Sequence, residues 1–193
     1  MAPSRRLQGG VHVSVVTAVD AVSVNEVCRR AKTSKPGLYR EFGSEDQLMD
    51  AALTQYSETV LGPVLAKLDE DRPFRETLDF LIDFATREEA PDVPSGCLFA
   101  KMRSFRWRLG PVTGEHVDSL REGSVAAYAA WLGRCADKGE IDLPDSIEMT
   151  ATYVDAQLTM MLTRISAGED PDTVRAHANL AFAVLTDPNS IGQ

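Results

Sequence analysis

Apolar residues in this chain recur mostly at the spacing of α-helices, which constrains its fold more than any other feature. Near the C-terminus they step alternately by four and by three residues, through Ile147, Ala151, Val154, Leu158, Met161 and Ile165, and then through Val174, Ala178, Ala181 and Leu185. This spacing places each row on one face of a helix. Few segments alternate with period two, and Pro or Gly separates the helical segments. The sequence therefore predicts an all-α fold.

The charge of the chain is unevenly distributed. The 193 residues include 20 basic and 29 acidic side chains, a formal net charge of −9, which by itself argues against a nucleic-acid partner. Residues 1–42, however, hold seven of the basic side chains and only three of the acidic ones. A basic N-terminal segment followed by an acidic remainder indicates that the N-terminal segment binds phosphate groups. The alternative is that the seven basic residues cluster by chance.

Several classes of protein are not favoured by the sequence. The three cysteines share no C-x-x-C spacing and are interpreted as reduced thiols in a cytosol. No apolar run is long enough to span a membrane, and we find no targeting segment. Catalytic motifs are missing, and the three histidines have no second ligand at metal spacing. We therefore expect a cytoplasmic protein that is not an enzyme and uses no metal or cofactor.

Residues 23–42 carry the clearest functional pattern. Ser23 and Ser34 each suit the cap of a short helix, the first over 24–31 and the second over 35–41. The second helix offers Leu38 and Phe42 to the interior. Two short helices that are apolar on one side and joined by a tight turn form a helix-turn-helix, whose second helix enters the major groove of DNA.

The stretch Val22–Leu53 resembles the TetR family of bacterial transcription regulators. It keeps eight positions of the family signature, namely Ser23, Ala31, Ser34, Leu38, Tyr39, Phe42, Ser44 and Leu48. The resemblance implies an N-terminal three-helix DNA-binding bundle over residues 1–45. It also implies a C-terminal helical domain over 46–193 for ligand binding and dimerisation.

Position in the motif assigns DNA contacts to the turn and to the second helix. The predicted DNA-binding residues are Lys32, Thr33, Ser34, Lys35, Pro36, Gly37, Tyr39 and Arg40. Gly37 would let the backbone approach a base, and the Tyr39 hydroxyl would reach a phosphate. The alternatives are a half-buried Tyr39 that closes the bundle and an Arg40 that faces only water.

Four features depart from the family pattern, and one of them, Cys28 in place of a usual small alanine, is harmless packing. Lys32 occupies the position of the usual turn glycine, and Glu45 that of a phosphate-binding lysine. Asp46 follows, and two acids at this place suit a helix N-terminus but would repel DNA. The segment before residue 20, with Gly9–Gly10, makes a poor first helix. These departures support an alternative function, a TetR-like ligand-binding or interaction protein with impaired DNA binding.

The resemblance also implies a small-molecule effector whose binding opposes DNA binding. The predicted pocket residues are Cys97, Met102, Phe105, Tyr128, Trp131, Tyr153 and Gln157, with simple core packing as the alternative for each. Cys97 is either a structural thiol or a redox sensor. The basic and aromatic segment 101–108 is either a helix with solvated charges or a surface for anions or single strands.

Self-association is predicted from the last two helices. We assign the dimer interface to the two apolar rows given at the start of this subsection, with core packing inside one chain as the alternative for part of them. The penultimate helix has a second apolar row, Met149, Tyr153, Ala156 and Met160, and a helix that is apolar on two faces needs two partners. Pairing of two copies would give a four-helix interface. The sequence thus predicts a homodimeric repressor that binds double-stranded operator DNA and is released by an unknown small molecule.

Overall fold

In the computed structural model, the described residues are Cys28, 33–87 and 97–186. Of the helices predicted before residue 32, the structure describes Cys28 alone. The residue Lys32, to which a DNA contact is assigned, and the glycine pair at 9–10 also lie outside the described residues. Within the described ranges no strand is formed, which confirms the all-α prediction. The helices are α1 (Lys35–Phe42), α2 (Glu45–Tyr56), α3 (Gly62–Ala66), α4 (Phe74–Thr86), α5 (Leu98–Ser104), α6 (Pro111–Asp137), α7 (Ile147–Ser166) and α8 (Pro171–Thr186).

Serine side chains fix where three of these helices begin. The backbone N–H groups of Gly37, Gln47 and Met149 donate to the hydroxyl oxygens of Ser34, Ser44 and Ser146 at 3.2, 3.1 and 3.2 Å. Each serine satisfies one of the N–H groups that a helix start leaves without a partner. The cap at Ser146 places the start of α7 at Ile147.

The helical run that begins with α2 changes its hydrogen-bonding pattern before it ends. A π-helical turn, Ser57–Leu61, separates α2 from α3, and a 3₁₀ turn, Lys67–Asp69, follows α3. Pro63 lacks an N–H and its ring crowds the preceding turn, and a widened turn lies directly before it.

Contacts group the described residues into two compact units. The first unit combines residues of the ranges 1–61 and 89–120, and the second those of 62–88 and 121–193. The predicted division into 1–45 and 46–193 concerns function rather than packing, and it stays a prediction.

The second unit has a core of α4, α7, α8 and the later part of α6. Phe74 stacks on Trp131, with ring centroids 5.0 Å apart and planes 14° apart. The carboxylate of Glu140 accepts the backbone N–H of Phe74 at 2.5 Å and so caps the start of α4. Tyr153 joins α7 to α8, because its hydroxyl donates to the carbonyl of Ala181 at 2.7 Å. These contacts fix the register of the four helices.

Candidate nucleic-acid interface

Helix α1 is short and is fixed at both ends. Ser34 caps its start, and Pro36 lies in the first turn, where a missing N–H costs nothing. At the other end Gly43 adopts a φ of +84° and donates its N–H to the carbonyl of Tyr39 at 2.8 Å. A left-handed φ of this kind favours glycine, so the sequence ends α1 here and turns the chain into α2.

The two sides of α1 differ in burial. A helix that binds in the major groove needs one buried side and one exposed side. Leu38 is 2% exposed and anchors the inner side. Ser34, Lys35, Pro36 and Arg40 are exposed, and Thr33, Gly37 and Tyr39 are half-buried. The seven described residues predicted to contact DNA therefore all keep some surface in water. Tyr39 lies between the two alternatives, because it is neither enclosed nor fully exposed.

Gly37 has a structural role that the sequence did not indicate. A Cβ at this position would lie 3.0 Å from the hydroxyl of Thr33 and 3.2 Å from that of Ser34. Both distances are shorter than ordinary van der Waals contact. The missing side chain thus leaves room for the cap of α1, whether or not it also admits a base.

The first turn of α2 contains the two acids that the sequence expected to oppose DNA. Glu45 is exposed, but Asp46 turns toward the start of α6. The carboxylate of Asp46 accepts the backbone N–H groups of Val112 and Thr113 at 2.9 and 3.0 Å. The hydroxyl of Thr113 lies 2.6 Å from the same carboxylate and 2.8 Å from the Asp46 carbonyl oxygen. The Asp46 carboxylate is therefore hydrogen-bonded within the protein, whereas the Glu45 side chain is exposed.

Asp46 performs the task of the missing cap of α6. The residue before α6 is Gly110, which has no side chain to accept the first N–H groups of the helix. A Cβ at Gly110 would collide with the Asp46 carboxylate. Burial alone would raise the pKa of Asp46, but the hydrogen bonds from Thr113 and Val112 outweigh it and hold that pKa below its ordinary value.

A second bond joins the same two helices one turn further on. His116 Nδ1 donates to a carboxylate oxygen of Asp50 at 2.6 Å, and both side chains are half-buried. Asp46 and Asp50 are four residues apart on α2 and face Thr113 and His116, three residues apart on α6. We call these four residues the α2–α6 clasp. Sequence reasoning missed the clasp because its partners are about 66 residues apart.

The thiol of Cys97 is enclosed next to α2. Cys97 is 6% exposed, and its sulfur accepts the hydroxyl of Tyr56 at 3.0 Å and the N–H of Ala100 at 3.4 Å. The contact with Tyr56 ties the start of α5 to the end of α2, and the contact with Ala100 caps α5 itself. This surrounding is that of a structural thiol, one of the two alternatives from the sequence.

The predicted pocket residues divide between the two units. Cys97, Met102 and Phe105 belong to the first unit, and Tyr128, Trp131, Tyr153 and Gln157 to the second. Cys97, Met102, Tyr128 and Trp131 are buried, and the other three are half-buried. In the second unit Trp131 Nε1, Thr77 Oγ1 and Thr150 Oγ1 are buried without a hydrogen-bond partner among the described residues.

The apolar rows assigned to a dimer interface lie mostly in the core of the second unit, which is the alternative that the sequence left open. Most of their members are no more than 6% exposed and pack within the core of the second unit, namely Ala151, Val154, Leu158, Met161, Val174, Ala178 and Leu185. Ile147, Ile165 and Ala181 are half-buried. Side chains enclosed in their own chain do not reach a second copy. The exposed large apolar residues of α7 and α8 are instead Met149, Met160 and Leu180, at 58, 57 and 75%.

The described residues contain no group of three or more His, Cys, Asp or Glu side chains placed to hold a metal ion. None of their helices is both long and apolar enough to cross a membrane.

The chain is similar to known proteins in part of its sequence and in its fold. Residues 16–52 match the sequence model of a family described as bacterial regulatory proteins, tetR family. A search of curated protein sequences found no match.

Solved structures with the same fold cover almost the whole chain. A cysteine mutant of the TetR family transcriptional regulator CifR, complexed with 26-bp double-strand operator DNA, is 16% identical over 96% of this chain and 97% of its own, with a TM-score of 0.76. Escherichia coli NemR in its reduced form is 15% identical over 91 and 95%, with a TM-score of 0.68. A TetR family regulator from Agrobacterium tumefaciens is 15% identical over 95 and 93%, with a TM-score of 0.69.

Proposed function

We propose that this member of the TetR family, a DNA-binding transcriptional regulator and not an enzyme, is a homodimeric repressor that a small molecule releases from its operator. It would act in the bacterial cytoplasm, where its DNA lies. The repressor role, the dimer, the effector and the location are the parts that go beyond the family.

The observation that carries the proposal is the two-sided burial of α1. Leu38 anchors the helix, while the side chains of Lys35 and Arg40 are exposed to water. An α-helix with its side chains is about 10–12 Å across, which fits a major groove about 12 Å wide. Lys35 and Arg40 would bind phosphates or a guanine edge, and the Tyr39 hydroxyl would donate to a phosphate.

The dimer is supported by the outer faces of α7 and α8. Met149 and Met160 are exposed on the second apolar row of α7, and Leu180 is 75% exposed on α8. Large apolar side chains in water cost free energy that a partner surface recovers. Two copies that pair these helices would form a four-helix interface and hold two α1 helices for the two halves of a palindrome.

The effector is supported by unpartnered polar atoms inside the second unit. Trp131 Nε1 can only donate, and the hydroxyls of Thr77 and Thr150 can donate or accept. A buried group of this kind costs about 1–3 kcal/mol when its hydrogen bond is not made. A small apolar molecule with a carbonyl or hydroxyl group would recover that free energy on binding.

Selection of duplexes from a random DNA pool, at low and then moderate salt, tests the proposal. The expected result is an enriched palindrome that the full-length protein binds in a salt-dependent way. The Tyr39→Phe variant should bind it about fivefold more weakly, because one phosphate hydrogen bond is lost, and should unfold at the same temperature as the wild type.

Failure to enrich any sequence, with a folded dimer in hand, would contradict the repressor. It would favour the alternative of a TetR-like ligand-binding or interaction protein with impaired DNA binding.

A further inference from the structure

The connection between α5 and α6 is basic in an otherwise acidic chain. Residues 97–110 contain Lys101, Arg103, Arg106 and Arg108 and no acidic side chain. The chain as a whole has a net charge of −9. Basic and aromatic residues are interleaved in this segment, which lies outside the predicted DNA-binding residues.

Only part of this segment stands fully in water. Lys101 is 7% exposed, and Arg106 forms hydrogen bonds of 2.7–3.1 Å with the carboxylate of Asp118. Trp107, in contrast, is 80% exposed, more than any other large apolar side chain among the described residues. The Arg108 guanidinium carbon lies 5.7 Å from the centre of the Trp107 ring. Trp107 and Arg108 therefore present an aromatic face and a cation side by side, and we call them the Trp–Arg pair.

The α2–α6 clasp determines where this pair lies. Asp46 holds the first turn of α6 through Val112 and Thr113, and Gly110 packs against the same carboxylate. Three residues of chain span at most about 11 Å, so the Trp107 backbone lies within that distance of Gly110. Asp46 is itself four residues beyond Phe42, the last residue of α1. Two stretches of three and four residues and one side-chain contact therefore connect the pair to the end of the helix that the proposed function places in the major groove.

We propose that Trp107 and Arg108 bind the sugar–phosphate backbone of operator DNA beside the groove that α1 enters. The proposal rests on the proposed function and extends it to a segment outside the helix-turn-helix. Arg108 pairs with a phosphate, and the Trp107 ring packs on a deoxyribose while its N–H donates to a neighbouring phosphate. The pair supplies positive charge near the first turn of α2, where Glu45 is exposed and unfavourable to DNA.

The test compares Arg108→Ala and Trp107→Ala with the matched control Arg87→Ala. Arg87 is also exposed and also lies over an aromatic ring, that of Phe84 at 4.4 Å, but it belongs to the second unit. Full-length proteins are titrated against the selected palindrome in two duplexes, one trimmed to the palindrome and one extended on both sides. Arg108→Ala should weaken binding to the extended duplex about three- to tenfold and reduce its salt slope by about two, one for each protomer of the dimer. Trp107→Ala should weaken it by a similar factor.

Both effects should be smaller on the trimmed duplex, and Arg87→Ala should change neither. Tryptophan emission gives a second readout: the extended duplex should shift the emission of the wild type but not that of Trp107→Phe, which keeps only Trp131. Equal affinities for Arg108→Ala and Arg87→Ala on the extended duplex would overturn this inference and leave the proposed function intact. A wild type that binds no duplex would overturn both.

Discussion

Asp46 accepts two hydrogen bonds from Thr113, one from its backbone N–H at 3.0 Å and one from its hydroxyl at 2.6 Å. The bonds join the start of α2, which follows the candidate DNA-binding helix, to the first turn of α6. Thr113 is fully buried, so both of its hydrogen-bond donors, the backbone N–H and the hydroxyl, depend on this partner. A change at α6 therefore has a direct route to the first turn of α2.

Replacing Asp46 by alanine should lower the free energy of unfolding by about 1–2 kcal/mol, as the loss of a helix cap does. Two N–H groups at the start of α6 and the Thr113 hydroxyl would lose their acceptor. Thermal and urea unfolding measure the effect. The matched control is Glu45→Ala, one residue earlier and exposed, which should change stability by less than about 0.5 kcal/mol.

A second variant tests whether capping is the cause. In the Asp46→Ala background, Gly110→Ser would supply a local cap and should restore part of the lost stability. In the wild type the same serine should destabilise, because its Cβ would collide with the Asp46 carboxylate. Equal effects in both backgrounds would contradict the capping role.

The contribution of Asp46 should depend on pH with a defined sign. Its pKa in the folded protein is below the ordinary value of 3.8, because hydrogen bonds from Thr113 and Val112 outweigh the effect of burial. A carboxyl group whose pKa is lowered by folding stabilises the fold above its unfolded pKa and loses that effect as the pH falls through its folded pKa. The stability difference between the wild type and Asp46→Asn should be constant above about pH 5 and shrink below pH 4. A difference that grows in acid would contradict the assignment.

The same substitution should have opposite effects at two buried threonines. Thr113→Val removes a hydroxyl that bonds to Asp46 and should destabilise by about 1 kcal/mol. Thr150→Val removes a hydroxyl without a partner among the described residues and should be neutral or stabilising by a similar amount. Chemical unfolding of both variants gives the comparison. Destabilisation by Thr150→Val would show that its hydroxyl has a partner in solution.

Reversing the charge of Glu45 should strengthen DNA binding. Glu45→Lys places a cation on the first turn of α2, next to α1, and should tighten binding and steepen the salt slope by about two, one for each protomer of the dimer. Glu122→Lys, an equal charge change at an exposed position of α6 in the second unit, is the control and should have a smaller effect. Equal slopes for the two variants would mean that the first turn of α2 lies away from the phosphates.

Dimer formation should depend on the outer face of α8. Leu180→Glu places a charge at the most exposed apolar position of the last two helices and should convert a dimer into a monomer in light scattering. Ala130→Glu, at an exposed position of α6, should leave the dimer intact. A dimer that survives Leu180→Glu would place the interface elsewhere.

The sequence by itself determined the helices and the two-sided character of α1. Helix periodicity, serine caps and the glycine at residue 43 act over a few residues, so they can be recognised without knowing the fold. The apolar rows of α7 and α8 were also recognised, but not which partner they meet, because burial inside one chain and burial between two chains require the same side chains.

Only the tertiary structure decided the role of Asp46. The sequence suggested a carboxylate that repels DNA, whereas the structure turns it toward Val112 and Thr113 and leaves Glu45 in solvent. Its partners lie 66 and 67 residues further along the chain, and no local pattern specifies a contact of that separation. The same holds for the position of Trp107, because the packing that brings Gly110 against Asp46 also sets its distance from the candidate DNA-binding helix.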